Sequence, residues 1–342
     1  MQQELLPTND FLEISQRPRR NRKSQAMRAL IQETRLHPAH FVAPLFVVEG
    51  QKQKIPISSM PGIFRFSIDE LLKEIETHLE LGVRAINIFC YTPEEKKDAL
   101  GREGIRRGNL LQQAISTIKK ELPEVLIMAD IALDPFTDHG HDGVLDAKGT
   151  ILNDSTIQIL SEMALRAAEA GCDIVSPSDM MDGRIGYIRK ALDRAGFHST
   201  SILSYAVKHA SSFYGPFREA LNSAPKFGDK KTYQMSPANV KEALRECALD
   251  EAEGADMLLI KPALTNLDII AKVRAQTNLP IGAYQVSGEY SMIKAADERG
   301  WINGQRVFFE SLMAIKRAGA DFILTYAAKE VATAIKKGHH PE

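Results

Sequence analysis

Three phrases decide the fold: AEAGCDIV at 168–175, AEGADMLLI at 252–260 and RAGADFIL at 317–324. Each ends an amphipathic stretch on a glycine suited to a left-handed cap and passes at once into an apolar strand. Outward from these phrases, eight short apolar runs read as buried strands. They are FVAPLFVV from Phe41, VRAINIFC from Val83, VLIMADIAL from Val125, DIVSPS from Asp173, SILSYAV from Ser201, DMLLIKP from Asp256, PIGAYQVS from Pro280 and DFILTY from Asp321. None alternates strictly between apolar and polar, which suits parallel strands covered on both faces. Helical patterns lie between them at 67–82, 108–122, 154–171, 238–254, 266–277, 288–299 and 305–319, the first with Ser67 as N-cap and Gly82 as its stop. Eight βα units in one chain predict an α/β fold of the (β/α)8 TIM-barrel type. A doubly wound open sheet is the alternative, but no GxGxxG or Walker phrase follows the first run. Residues 1–35 contain RPRRNRK, too short and basic for a domain, and are expected to form an extended N-terminal arm on a barrel spanning 36–342.

The 342 residues carry 43 Lys plus Arg against 44 Asp plus Glu, so charge gives no reason to expect nucleic acid or an anionic membrane as partner. At 44% apolar and 25% charged residues, the balance is that of a water-soluble globular chain. Cys90, Cys172 and Cys247 form no CxxC pair, which argues against a disulfide framework or a cysteine-only zinc site. No apolar run approaches the roughly 20 residues of a membrane span. The opening MQQELLPTNDFLEIS lacks the pattern of a secretory signal, and a cytoplasmic location is the expectation.

Barrel enzymes place their chemistry at the C-terminal ends of strands. The third run ends in Asp130 and Asp134, followed by FTDHGHDG with Asp142. The fourth ends in SPSDMMDGR with Ser178, and the fifth in SYAVKH with Tyr205 and Lys208. The sixth carries Lys261, the seventh closes on Gln285 and Ser287, and the eighth on Tyr326. Lys261 is the most informative residue. It follows MLLI on a strand that should be buried, and a buried ammonium is unfavourable unless paired or neutralised. Desolvation and a second cation, here Lys208 on the neighbouring strand end, would lower its pKa so that a free amine attacks a carbonyl. A salt-bridged strand-end lysine is the plainer alternative.

The phrases ALDPFTDHGHDG, SPSDMMDGR, SYAVKHASSFYGPFREA, KKTYQMSPAN, LIKPAL and YQVSGEY, in this order, resemble the porphobilinogen synthase (5-aminolevulinate dehydratase) family, from about Arg17 through Tyr326. The resemblance implies condensation of two 5-aminolevulinate molecules to porphobilinogen with loss of two waters. It also implies a barrel with an arm that wraps a neighbouring subunit, usually in a homo-octamer. Lys261 would be the Schiff-base lysine for the substrate supplying the propionate side, and Lys208 would bind the one supplying the acetate side. Arg218, Lys230 and Gln234 match the ligands of the second substrate's carboxylate, and Ser287 and Tyr326 those of the first. Ser178 and Tyr205 are further substrate-binding candidates. Each substrate is an anionic keto acid, so each site needs an amine and polar donors. Gly215, Gly228 and DKKTYQ fit a loop that closes over substrate.

One departure from the family's zinc-dependent members bears on metals. They carry three cysteines where this chain has Ala132, Asp134 and Asp142, a set without thiolates and with hard oxygen donors. No catalytic zinc is therefore expected, although His139 and His141 flank Asp142. The chain resembles the cysteine-free branch, in which Asp130, Asp134 and Asp142 position the acetate-side amine and assist proton transfer. ALRECALDEAEGAD resembles the branch in which a helix glutamate, here Glu246, holds hydrated magnesium at a subunit interface, where the ion is structural or allosteric. Arg17, Arg19, Arg20, Arg22 and Lys23 of the arm would pair with acidic groups of an adjacent subunit. A different Schiff-base aldolase would want a glycine-rich phosphate turn after the last strands, where VSGEY and TYAAKE stand instead. An inactive relative would have lost one of the lysines or carboxylate ligands, and all are present.

Overall fold

The computed structural model describes residues 14–338. Eight parallel strands close into a barrel: β1 (Phe41–Val47), β4 (Ala85–Cys90), β5 (Leu126–Ile131), β6 (Ile174–Pro177), β7 (Ser201–Lys208), β8 (Met257–Lys261), β9 (Ile281–Gln285) and β10 (Phe322–Thr325). Closure comes from pairing of β10 with β1, at Phe41 against Ile323 and Val42 against Leu324. All eight apolar runs are strands of the barrel, so the predicted (β/α)8 architecture stands. A hairpin, β2 (Lys54–Pro56) and β3 (Phe64–Phe66), adds to the edge of β1 through Phe46 and Val47.

All seven predicted helical stretches are helices, beginning with Ile68–Glu80, Leu110–Glu121 and Asn153–Glu169. Two further helices, Arg184–Arg194 and Ala328–Lys336, complete the outer ring and had not been anticipated. Ser67 precedes its helix but does not cap it by side chain; its hydroxyl accepts from the Gln53 amide and donates to Asp69.

The three repeated phrases have a common job at the N-terminal ends of the strands. Gly171, Gly254 and Gly319 sit at φ of 98°, 103° and 122°, where a side chain would be strained. Two residues on, Asp173, Asp256 and Asp321 each accept the amide of a residue on the preceding strand, Ile127, Ile202 and Ile281, at 2.7, 2.7 and 2.8 Å. Each carboxylate also meets a helix cation: Lys119, Arg189 and Arg274 respectively. A charged side chain thus ties β5 to β6, β7 to β8 and β9 to β10.

Residues 14–35 belong to a separate compact unit. It holds a 3-10 helix at Pro18–Arg22 and a short helix at Gln25–Leu30, with Ser24 accepting the Met27 amide at 3.2 Å. Leu30 and Ile31 are exposed on it. Residues 1–13 of the predicted arm lie outside the described residues.

Candidate active site

A bulge in β7 sets the centre of the site. Leu203 and Ser204 pair with Met257 and Leu258, but Val207 and Lys208 pair with Ile260 and Lys261, so β7 carries one extra residue. The extra residue brings Lys208 level with Lys261 at adjacent strand ends. Paired residues of parallel neighbours point to the same face, and both lysines project into the barrel mouth, only 6% and 5% exposed.

Their environments differ sharply. The Lys261 ammonium position has no carboxylate within ion-pair distance among the described residues. It is enclosed by the rings of Tyr284, Tyr214, Phe217 and Tyr205, whose centroids lie 4.8, 4.9, 5.0 and 5.4 Å away. Burial, then the charge of Lys208, lowers its pKa to about 7. A lysine that gives up its proton near neutrality is a nucleophile at working pH. Lys208 instead donates to the Ser178 carbonyl and lies 3.5 Å from Asp142.

The aspartates sort into distinct states. Asp142 is fully buried, and its Oδ1 accepts from Lys230 at 2.9 Å. Burial alone would raise its pKa, but Lys208 and Lys230 hold it well below the ordinary carboxylate range. Asp134 accepts from Lys230 at 3.2 Å, yet burial and the neighbouring Asp142 keep its carboxyl above its usual pKa. Asp130 is pushed up to about 7 by burial and then by Asp134, and its Oδ1 is buried without a hydrogen-bond partner. The site therefore holds one firmly ionised carboxylate beside two that more readily keep a proton, a usable arrangement for general acid–base work.

The remaining predicted residues are brought to the same mouth with different degrees of engagement. Ser178 supplies its carbonyl to Lys208 and its hydroxyl to Asp130. The buried Tyr205 hydroxyl accepts from Asn87 at 3.3 Å. Tyr326 stacks on Phe46 and shares a 2.9 Å hydrogen bond with Tyr284. Ser287 accepts the Phe217 amide at 3.0 Å and donates to the Phe213 carbonyl at 3.3 Å, joining the end of β9 to the segment that carries Arg218. Gly288 beside it has no alternative, because a Cβ would lie 2.5 Å from the Phe213 carbonyl oxygen. Arg218, on the helix Gly215–Leu221, is half-buried and makes no ion pair with another described residue. Gln234 is buried with its amide oxygen unpaired. These last two are unused polar groups. Lys230, by contrast, is committed to Asp134 and Asp142.

Some residues have parts that the sequence did not disclose. His139 and His141 hold the 224–233 segment down: the His139 carbonyl accepts from the Lys226 amide, and the His141 ring meets the Phe227 carbonyl and the Tyr233 hydroxyl. The His141 ring is thus spent on that loop, while the His139 ring meets the Ala99 carbonyl and accepts the His141 amide. Among the described residues no group of three or more His, Cys, Asp or Glu is arranged to hold a metal ion. Arg184, 1% exposed, binds Asp250 through both terminal nitrogens at 3.4 and 3.2 Å, lies 3.6 Å from Asp179, and donates to the Met181 and Tyr205 carbonyls. It fixes the turn after Ser178, where Met180 adopts a left-handed φ of 78°. Non-glycine residues rarely hold that conformation unless their surroundings impose it.

Glu246 stands on the helix Val240–Glu253, outside the barrel mouth. It borders an open cavity with Glu242 and Asp182, and burial followed by Asp250 raises its pKa.

The profile of the family described as delta-aminolevulinic acid dehydratase matches residues 15–334. The chain is 51% identical to the delta-aminolevulinic acid dehydratase of Chlamydia pneumoniae over 327 residues, 96% of this chain and 98% of that one. It is 52% identical to the chloroplastic delta-aminolevulinic acid dehydratase 1 of Arabidopsis thaliana over 325 residues, 95% of this chain and 75% of that one. A crystal structure of the Toxoplasma gondii ME49 enzyme in complex with the reaction product porphobilinogen superposes with a TM-score of 0.94. That protein is 48% identical, with 96% of this chain and 94% of that one covered.

Proposed function

The chain belongs to the delta-aminolevulinic acid dehydratase family, lyases that condense two 5-aminolevulinate molecules into porphobilinogen, and from that premise we propose how its residues share the work. Lys261 is the first nucleophile. Its free amine adds to the ketone of one substrate and, on uptake of one proton, expels water, leaving a cationic imine inside the ring cage. The cage and the depressed pKa are the observations that carry this assignment. The faces of Tyr284, Tyr214 and Tyr205 can stabilise the positive charge that forms there. Ser287 and Tyr326 take the carboxylate of this substrate.

Lys208 engages the second ketone, with Asp142 ionised beside it. Arg218, Lys230 and Gln234 bind the second carboxylate, and the unpaired state of Arg218 and Gln234 supports that role. Lys230 would have to share itself between this anion and the aspartates. Asp130 and Asp134 carry protons to and from the amine and the carbon that loses its hydrogen. Borohydride trapping with 5-aminolevulinate, followed by peptide mapping, should label Lys261. Lys261→Ala should lose several powers of ten in turnover with the fold intact. Retention of about a tenth of the rate would end this assignment.

The family implies a metal, and the residues present bear on which one. The phrase after β5 offers Ala132, Asp134 and Asp142, with Asp134 and Asp142 already occupied by Lys230, and this does not fit a thiolate-type zinc. Glu246 fits a hydrated magnesium better. It is a half-buried carboxylate among Asp182, Glu242 and Asp250, and magnesium keeps most of its waters. The ion would there neutralise crowded carboxylates rather than touch substrate.

We take residues 1–35 as an arm and 36–342 as the catalytic barrel, with the exposed Leu30 and Ile31 buried against another copy in a homo-octamer. Light scattering decides the assembly size. Among the described residues no helix is long and apolar enough to cross a membrane. The three buried, unpaired cysteines support a reducing compartment such as the cytoplasm, which fractionation would test. Neither nucleic acid nor membrane is assigned as a partner.

A further inference from the structure

Glu289 is a buried carboxylate that the chemistry above does not use. It sits in the first turn of the helix Ser287–Glu298 and is completely shielded from solvent. No Lys, Arg or His among the described residues forms an ion pair with it; its stabilising partners are backbone amides. Oε2 accepts the amide of Val286, the residue between the end of β9 and Ser287, at 2.7 Å. Oε1 accepts the amide of Leu264, three residues past Lys261, at 2.8 Å. Burial pushes its pKa up to about 7, and the amides of Val286, Leu264, Ala263 and Thr265 hold back part of that rise. One side chain therefore spans two strand ends, one bearing the amine and the other bearing a hydroxyl assigned to substrate carboxylate.

The spacing gives the connection its meaning. β8 and β9 are hydrogen-bonded neighbours only as far as Ile260 against Ala283. Beyond that point the ladder stops, and the chains run separately into 262–266 and 286–288. Lys261 lies one residue and Ser287 four residues past that last rung, so regular sheet pairing does not fix their separation. The Glu289 carboxylate bridges the gap at that place.

We propose that Glu289 is a positioning residue that sets the distance between the ketone-capturing amine of Lys261 and the carboxylate-capturing hydroxyl of Ser287. A 4-oxo acid has a fixed spacing between its ketone and its carboxylate, and the clamp matches the protein to that spacing. The inference rests on the roles given above to Lys261 and Ser287.

The test compares two small ketones that differ in the carboxylate. Levulinate carries both the ketone and the carboxylate; 2-pentanone carries the ketone alone. Borohydride trapping at Lys261 is measured for each at subsaturating concentration, and their ratio is the carboxylate advantage. The wild-type protein should favour levulinate by at least about tenfold, since charge-assisted contacts are worth that much. Glu289→Gln replaces one acceptor by a donor facing an amide hydrogen. It should cut that ratio at least fivefold while 2-pentanone trapping stays within about twofold. Ser287→Ala provides the reference for a lost carboxylate contact. A solely structural role would lower stability but leave the ratio intact, and an intact ratio overturns the proposal. Glu289→Asp, too short to span both amides, serves if the glutamine variant does not fold; it too should lower the ratio, and an unchanged ratio again overturns the proposal. A wild-type protein with no carboxylate advantage, or no label at Lys261, would instead refute the roles on which the inference rests.

Discussion

Lys261 offers a quantitative test, because its burial among four rings and its neighbour Lys208 place its proton loss near pH 7 rather than at the ordinary 10.5. With a midpoint of about 7, roughly 9% of the amine is free at pH 6 and roughly 91% at pH 8. Reductive trapping of 5-aminolevulinate with cyanoborohydride should therefore rise about tenfold over that range and level off. A lysine titrating at 10.5 would show a rise of about a hundredfold with no plateau. Asp130 titrates over the same range, so the midpoint belongs to the pair. Lys208→Met removes the second-largest cause of the depression and leaves burial, the largest. The plateau should move to higher pH without reaching the ordinary lysine value. An unchanged midpoint in Lys208→Met, or a wild-type profile without a plateau, would refute the reasoning. Stability follows the same shift: the folded chain gives up this proton near 7 and the unfolded chain near 10.5. Lys261 thus opposes folding fully below about pH 7, and that opposition fades between 7 and 10.5.

Arg218→Ala removes a charge-assisted contact worth about 1.5–3 kcal/mol, so KM should rise roughly 10- to 150-fold with Lys261 trapping near normal; loss of trapping would show the two carboxylate sites exchanged. A zinc-selective chelator should leave activity intact, and magnesium should raise the thermal unfolding midpoint of the wild type but not of Glu246→Ala; restoration by zinc alone would contradict this. Arg184→Ala strands Asp250 and Asp179 without their cation, which should cost about 3–5 kcal/mol in urea unfolding; a loss below about 1 kcal/mol would mean the pairing adds little.

The barrel was legible because its strands are mostly buried on both faces and so read as predominantly apolar runs. The hairpin was not: Lys54–Pro56 is three exposed residues with no periodic signal. The helix Arg184–Arg194 did carry a signal, in Ile185, Ile188 and Leu192. It is masked by a glycine and by a buried arginine where an apolar residue would be expected. Lys261 and Lys208 stood out because a lysine ending an apolar strand is anomalous wherever it occurs. Arg184 and Asp250 are 66 residues apart, and HGH serves a loop 86 to 92 residues further on. Only folding brings such groups together, so their spacing in sequence is silent about them. The bulge that levels the two lysines is equally unannounced: SILSYAVK reads as an ordinary strand.

The aspartates after Gly171, Gly254 and Gly319 tie the barrel strands two by two, and the fourth pair, β1 with β4, breaks the rule. There Gly82 is followed by Val83 and then Arg84, so the place of the carboxylate is taken by a cation. The barrel is consequently a ring of quarter-modules, three alike and one divergent. The divergent quarter is the one with which the barrel begins; it bears the extra hairpin and closes on β10. In engineering terms the natural borders of this molecule fall between modules. New ends cut in the exposed stretch around 196–199, between β6 and β7, would spare every tether. A cut at 171–173 would sever one.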